Sequence, residues 1–152
     1  MKRIASFCVD HNKLDRGIYI SRVDGDIVTY DIRMKKPNVP PFIEVAAMHT
    51  IEHLFATYAR NSAISDKVIY FGPMGCRTGC YLLLRDATHE QAIELIKETF
   101  EFIAKFDGEI PGTTAVECGN YLEHDLQGAV AEAREYLPVI KDYTVELLSY
   151  ER

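Results

Sequence analysis

A chain of 152 residues, 47% apolar and 26% charged, is one domain's worth and holds enough apolar material for a real core. A net charge of -6 and a pI near 5.3 speak against non-specific nucleic-acid binding, which needs a basic surface. No apolar run reaches the length of about 18 residues that a membrane-spanning helix needs, so no membrane association is expected.

The first stretch, "MKRIASFCVDHNKLD", begins basic but lacks the apolar core of a signal peptide, so a cytosolic location is expected. Thiols stay reduced there. Cys8, Cys76, Cys80 and Cys118 therefore read as metal ligand, catalytic thiol or core filler rather than as disulfides, and no two of them are spaced C-x-x-C. "GIYISRVDGDIVTYDIRM" predicts two strands around an Asp24-Gly25 turn, and "KKPNVPPF" a proline-punctuated loop. A helix is expected from about Glu44 to Arg60. Strands "KVIYF" and "CYLLLR" flank the glycine-rich "GPMGCRTG". "THEQAIELIKETFEFIAKFDG" predicts a helix capped by Thr88 with Gln91 in the capping-box position and ended by Gly108. "AVECGNY" is a short strand or loop, and "HDLQGAVAEAREYL" a last helix stopped by Pro138. Hairpin strands come early, with helices between and after them. The expected fold class is α+β, a mostly antiparallel sheet with packed helices, over a single domain spanning 1–152.

The chemistry centres on "MHTIEHLFATYAR". At about 100° per residue, His49 and His53 lie within about 40° of each other and Glu52 about 60° from His49. Ala47, Ile51, Leu54, Phe55 and Tyr58 occupy the opposite side, roughly 140–240° away. The histidines are thus segregated from the core stripe, which favours a metal site over an ordinary solvated face. A catalytic centre wants a third protein ligand and an open position. Cys118 in "VECGNY" is one candidate, with a glycine after it to let the backbone approach, and a buried small hydrophobe is its other reading. H-x-x-E-H is also the inverted zincin signature, whose third ligand is an acid that "NYLEHD" or "AEARE" could supply, but the chain is short for such a peptidase. A metal-stabilised binding module is a third reading.

"SFCVDH", "YDIRMKKPN", "HTIEHLFATYARN", "GPMGCRTG" and "ECGNY" occur in the order and approximate spacing of the S-ribosylhomocysteine lyase (LuxS) family, and the sequence resembles that family over nearly its whole length. The resemblance implies cleavage of S-ribosylhomocysteine to homocysteine and 4,5-dihydroxy-2,3-pentanedione, the precursor of autoinducer-2. It implies a homodimer with active sites at the interface. It also implies a divalent ion, Fe2+ natively with Zn2+ or Co2+ able to substitute, held by His49, His53 and Cys118. Glu52 and Cys76 become the two acid/base groups, and Ser6, His11, Asp31, Arg33 and Arg60 help hold substrate. Arginine suits a carboxylate as a fork, and the acids suit an ammonium. Three features depart from the pattern: Tyr70 stands where many members have Asp, Cys80 where a phenylalanine is usual, and the N-terminal hairpin is shorter.

Overall fold

The computed structural model describes residues 1–151; Arg152, the last residue of the expected domain, lies outside them. The chain first forms a hairpin of β1 (Gly17–Asp24) and β2 (Ile27–Arg33). Asp24 pairs with Ile27, so the two turn residues are Gly25 and Asp26, one position later than the expected Asp24-Gly25. Gly25 takes φ 61°, the left-handed conformation that a two-residue hairpin turn of the Gly-X type demands at its first position.

Helix α1 (Val45–Ala59) follows, then β3 (Val68–Pro73), β4 (Gly79–Arg85), α2 (His89–Lys105) and α3 (Leu126–Ile140). The four strands form one antiparallel sheet in the order β1-β2-β4-β3. This is the expected α+β arrangement.

Strand alternation divides the sheet's residues between two faces. Ile18, Tyr30, Ile32, Cys80, Leu82 and Leu84 point into a core shared with the helices. Asp31 and Arg33 alternate with them and project from the other face, where Tyr19 also lies buried. On α1 the residues with no exposed surface include Ile51, Leu54 and Phe55, while His49, Glu52 and His53 are half-buried. The segregation expected from periodicity is what orients the site.

Helix α2 starts as its sequence predicts: Thr88 Oγ1 accepts the Gln91 amide at 3.1 Å, and the Gln91 side chain accepts the Thr88 amide at 2.9 Å. It ends at Lys105 with Phe106 as C-cap, two residues before Gly108. Pro138 does not stop α3, which runs on to Ile140. The proline ring forfeits one hydrogen bond in the last turn, and burial of Ile140 at 0% exposure against the core holds that turn in place.

The segment between β3 and β4 is a closed loop. Met74 N–H donates to Gly79 O at 2.9 Å, Arg77 N–H donates to Met74 O at 3.0 Å, and Arg77 adopts φ 60°. Gly79 pairs with Arg33, and a Cβ at Gly79 would collide with Ile32 O, so only glycine lets β4 lie this close to β2. The loop therefore presents Cys76 at a tight, fully determined turn.

Candidate metal centre and active site

His49 and His53 project from adjacent turns of α1, ring centroids 4.7 Å apart and ring planes 83° apart. Each ring is aimed by its second nitrogen. His49 Nδ1 lies 2.8 Å from Glu123 O, and His53 Nδ1 lies 2.9 Å from Pro111 O. A carbonyl only accepts, so both Nδ1 atoms carry the hydrogen and both Nε2 atoms keep a lone pair. Gly112, at φ 75°, passes close enough that a Cβ there would lie 3.2 Å from His53 Nδ1.

Cys118 approaches from the connection between α2 and α3, its amide held by Thr114 O at 3.0 Å. Its sulfur lies 3.4 Å from His49 Nε2 and 3.7 Å from His53 Nε2. A tetrahedral ion with ordinary metal–nitrogen and metal–sulfur bonds separates those atoms by about 3.6 Å. A fourth side chain joins them: one donor atom each from His49, His53, Cys118 and His124 lie within 4.8 Å of one another. The His49 and His53 lone pairs converge with the Cys118 thiol, a nitrogen and sulfur donor set that fits a divalent metal of borderline softness.

His124 escapes a reading of the sequence although it stands in "NYLEHD". The signal available is a third histidine six residues after Cys118, just ahead of α3. Burial first, then the neighbouring His49 and His53, push it down to about 4, so it is neutral at neutral pH. The acids of the same stretch do other work. Asp125 caps α3 by accepting the Gly128 amide at 2.9 Å, and Glu123 contributes its backbone carbonyl to His49. Neither supplies the acidic ligand of an inverted zincin.

Glu52 sits half-buried between two clefts, and its carboxylate has no hydrogen-bond or ion-pair partner among the described residues. One cleft, of about 330 Å³, is lined by Glu52, His53, Arg60 and Tyr70. The other, of about 420 Å³, sets His49 and Glu52 opposite Met74, Gly75 and Arg77 of the β3–β4 loop. Cys76 is exposed on that loop, and its sulfur turns to Thr78 Oγ1 at 3.0 Å and Arg33 Nη1 at 3.9 Å.

Asp31 and Arg33 form a buried ion pair at 2.7 Å. Arg33 also donates to Thr78 Oγ1 at 2.8 Å, and Tyr150 donates to Asp31 Oδ2 at 2.6 Å. Burial works against the Arg33 charge, but the Asp31 carboxylate outweighs it and holds the guanidinium above its ordinary value. The result is a chain, Tyr150–Asp31–Arg33–Thr78–Cys76, of which Tyr150 stands in no motif and Thr78 lies in "GPMGCRTG" without having been singled out. Arg60 is exposed and donates to Ile69 O at 3.1 Å. Ser6 and His11 line neither cleft at Glu52, and His11 Nδ1 is bonded to Val9 O at 2.8 Å.

Cys80 is fully buried beside Met48, and burial holds its thiol well above the ordinary range. Alkylation of the native protein is therefore expected to modify Cys8 and Cys76 first and Cys80 only after unfolding, read by peptide mass spectrometry. Rapid labelling of Cys80 in the folded protein would contradict this burial.

The family model for S-ribosylhomocysteinase (LuxS) matches residues 4–146. The chain belongs to this family. Curated relatives agree along nearly their whole length. The S-ribosylhomocysteine lyase of Phocaeicola vulgatus is 53% identical, covering 99% of this chain and 98% of its own. That of Porphyromonas gingivalis is 48% identical over 96% of each chain, and that of Borreliella burgdorferi 46% over 99% of each. Within the LuxS fold, the departures sit at the rim and in the interior: Tyr70 borders the cleft with Arg60, and Cys80 fills the core.

Proposed function

We propose that the protein is a carbon–sulfur lyase that splits S-ribosylhomocysteine into homocysteine and 4,5-dihydroxy-2,3-pentanedione. The observation that carries this reading is the convergence of His49, His53 and Cys118 beside the unpartnered Glu52 carboxylate, in a chain of the LuxS family. His49, His53 and Cys118 hold the ion, Fe2+ with Zn2+ or Co2+ as substitutes, and His124 flanks them. The ion supplies Lewis acidity that stabilises negative charge on the substrate's oxygens.

The residues of the chain then move protons. The thioether leaves only when the carbon next to the C–S bond bears an acidic hydrogen, so the sugar carbonyl has to migrate along the chain first. Each migration removes a proton beside a carbonyl and returns one to the neighbouring carbon. Glu52, rigidly held on α1, serves one face of the substrate. Cys76 serves the other, with Thr78 Oγ1 and the Arg33 guanidinium beside its sulfur to support the thiolate. A last proton abstraction expels homocysteine as its thiolate.

Arg60 takes the substrate carboxylate at the cleft mouth. Asp31 and Arg33 act from beneath the loop. Ser6 and His11 serve the site of a second copy in a homodimer. Exposed apolar side chains support this pairing: Phe7, next to Ser6 in sequence, is 63% exposed and Leu122, next to Glu123, is 80% exposed. No helix among the described residues is long and apolar enough to cross a membrane. Four free thiols suit a reducing cytoplasm.

Protein loaded anaerobically with Fe2+, or with Co2+, is expected to release one free thiol per S-ribosylhomocysteine consumed, followed by thiol titration, and chelator is expected to stop it. Absence of homocysteine from both loaded forms would remove the lyase assignment.

A further inference from the structure

His124 belongs to the centre without a role in the proton transfers above, and its hydrogen bonds define what it offers. Thr50 Oγ1 gives its one hydrogen to Ala46 O at 3.1 Å and accepts the Asp125 amide at 2.9 Å. With that hydrogen on Ala46 O, the lone pair left on the oxygen faces His124 Nδ1 at 3.0 Å, which assigns the ring hydrogen to Nδ1 and the lone pair to Nε2. That Nε2 is buried and has no hydrogen-bond partner among the described residues.

Ring geometry decides what the lone pair is for. The His124 ring stacks on His49, centroids 3.9 Å apart and planes 23° apart, while His53 crosses it at 77°. An imidazole binds an ion in the plane of its own ring, so two stacked, nearly parallel rings do not aim at one point. His49 already makes the shorter approach to the Cys118 sulfur, 3.4 Å. His49, with His53 and Cys118, would therefore hold the ion, and the His124 Nε2 lone pair would be left over beside that set. An acceptor in that place is satisfied by an oxygen that brings its own hydrogen.

We propose that His124 is a substrate-binding residue, whose Nε2 accepts a hydrogen bond from a hydroxyl of the sugar chain at the metal centre. It thereby selects a hydroxyl-bearing chain over one lacking that group. This rests on the lyase reading.

The test uses the sugar-alcohol analogue of S-ribosylhomocysteine, which lacks the carbonyl and cannot react. Its binding to zinc-loaded protein is read by calorimetry, with zinc content measured in parallel. His124→Phe keeps a stacked ring without the acceptor, and His124→Gln returns an acceptor oxygen near the reach of Nε2. His124→Leu serves the same comparison if His124→Phe does not fold. Both variants are expected to keep zinc. His124→Phe should bind the analogue about tenfold more weakly, and His124→Gln should recover to within about threefold of the parent. Unchanged affinity in His124→Phe, or loss of its zinc, overturns the proposal and leaves the lyase reading standing. No binding by the parent protein overturns both.

Discussion

Cys118→Ala is expected to lose its metal, whereas Cys76→Ala is expected to keep it and lose turnover. The two thiols differ in what they face. Cys118 Sγ lies 3.4 and 3.7 Å from the Nε2 atoms of His49 and His53, whose ring hydrogens sit on Nδ1 and go to backbone carbonyls. Removing it takes away the only sulfur donor of the set. The affinity should fall by at least about 100-fold, the upper end of what losing a supporting hydrogen bond to a ligand costs. Cys76 touches Thr78 and Arg33 and lies outside the donor cluster. Its removal should leave metal stoichiometry intact and lower turnover by about 10²–10⁴, the range for a lost acid/base group. Elemental analysis with the homocysteine assay reads both quantities. Equal metal content in the two variants would show the ligand assignment to be wrong.

The second large effect is on the fold. Asp31→Ala is expected to cost about 3–5 kcal/mol of stability, because it strands the Arg33 charge inside the protein. The pair's side chains are only 1% and 4% exposed, and Tyr150 loses its acceptor at the same time. An exposed pair such as Arg22–Asp24, at 67% and 47%, is screened by solvent and should lose far less on Asp24→Ala. Asp31→Ala combined with Arg33→Met should be less damaging than Asp31→Ala alone, since no unpaired charge remains. Urea unfolding midpoints of these variants and the parent decide it. A cost for Asp31→Ala as small as that for Asp24→Ala would mean that Asp31 and Arg33 are not a buried, mutually dependent unit.

Much of the fold and of the metal centre is legible in the amino-acid sequence, for identifiable reasons. Periodicity on α1 separates His49 and His53 from Ile51, Leu54 and Phe55 because a helix converts spacing directly into direction. Thr88 and Gln91 announce the start of α2 because a capping box is a local interaction. The parts that stay hidden depend on where loops travel. Glu123 O and Pro111 O orient the two histidines through backbone atoms, which no side-chain motif reports. His124 reaches the centre only because Thr50, on another element, receives its Nδ1 hydrogen. Tyr150 meets Asp31 across 119 positions of sequence. Pro138 reads as a stop signal locally, and the buried end of α3 overrides it.

The hydrogen bonds from His49, His53 and Thr50 to the connection between α2 and α3 give the centre a mechanical meaning as well. The same rings that present lone pairs to an ion fasten that connection to α1 at Pro111, Glu123 and His124, with Cys118 between them. An ion there acts as a rivet through helix and strap together, tying residues distant in sequence into one stiff unit. Withdrawing it frees the strap first, so chelation should be felt as proteolytic nicking of the connection before any change in the sheet.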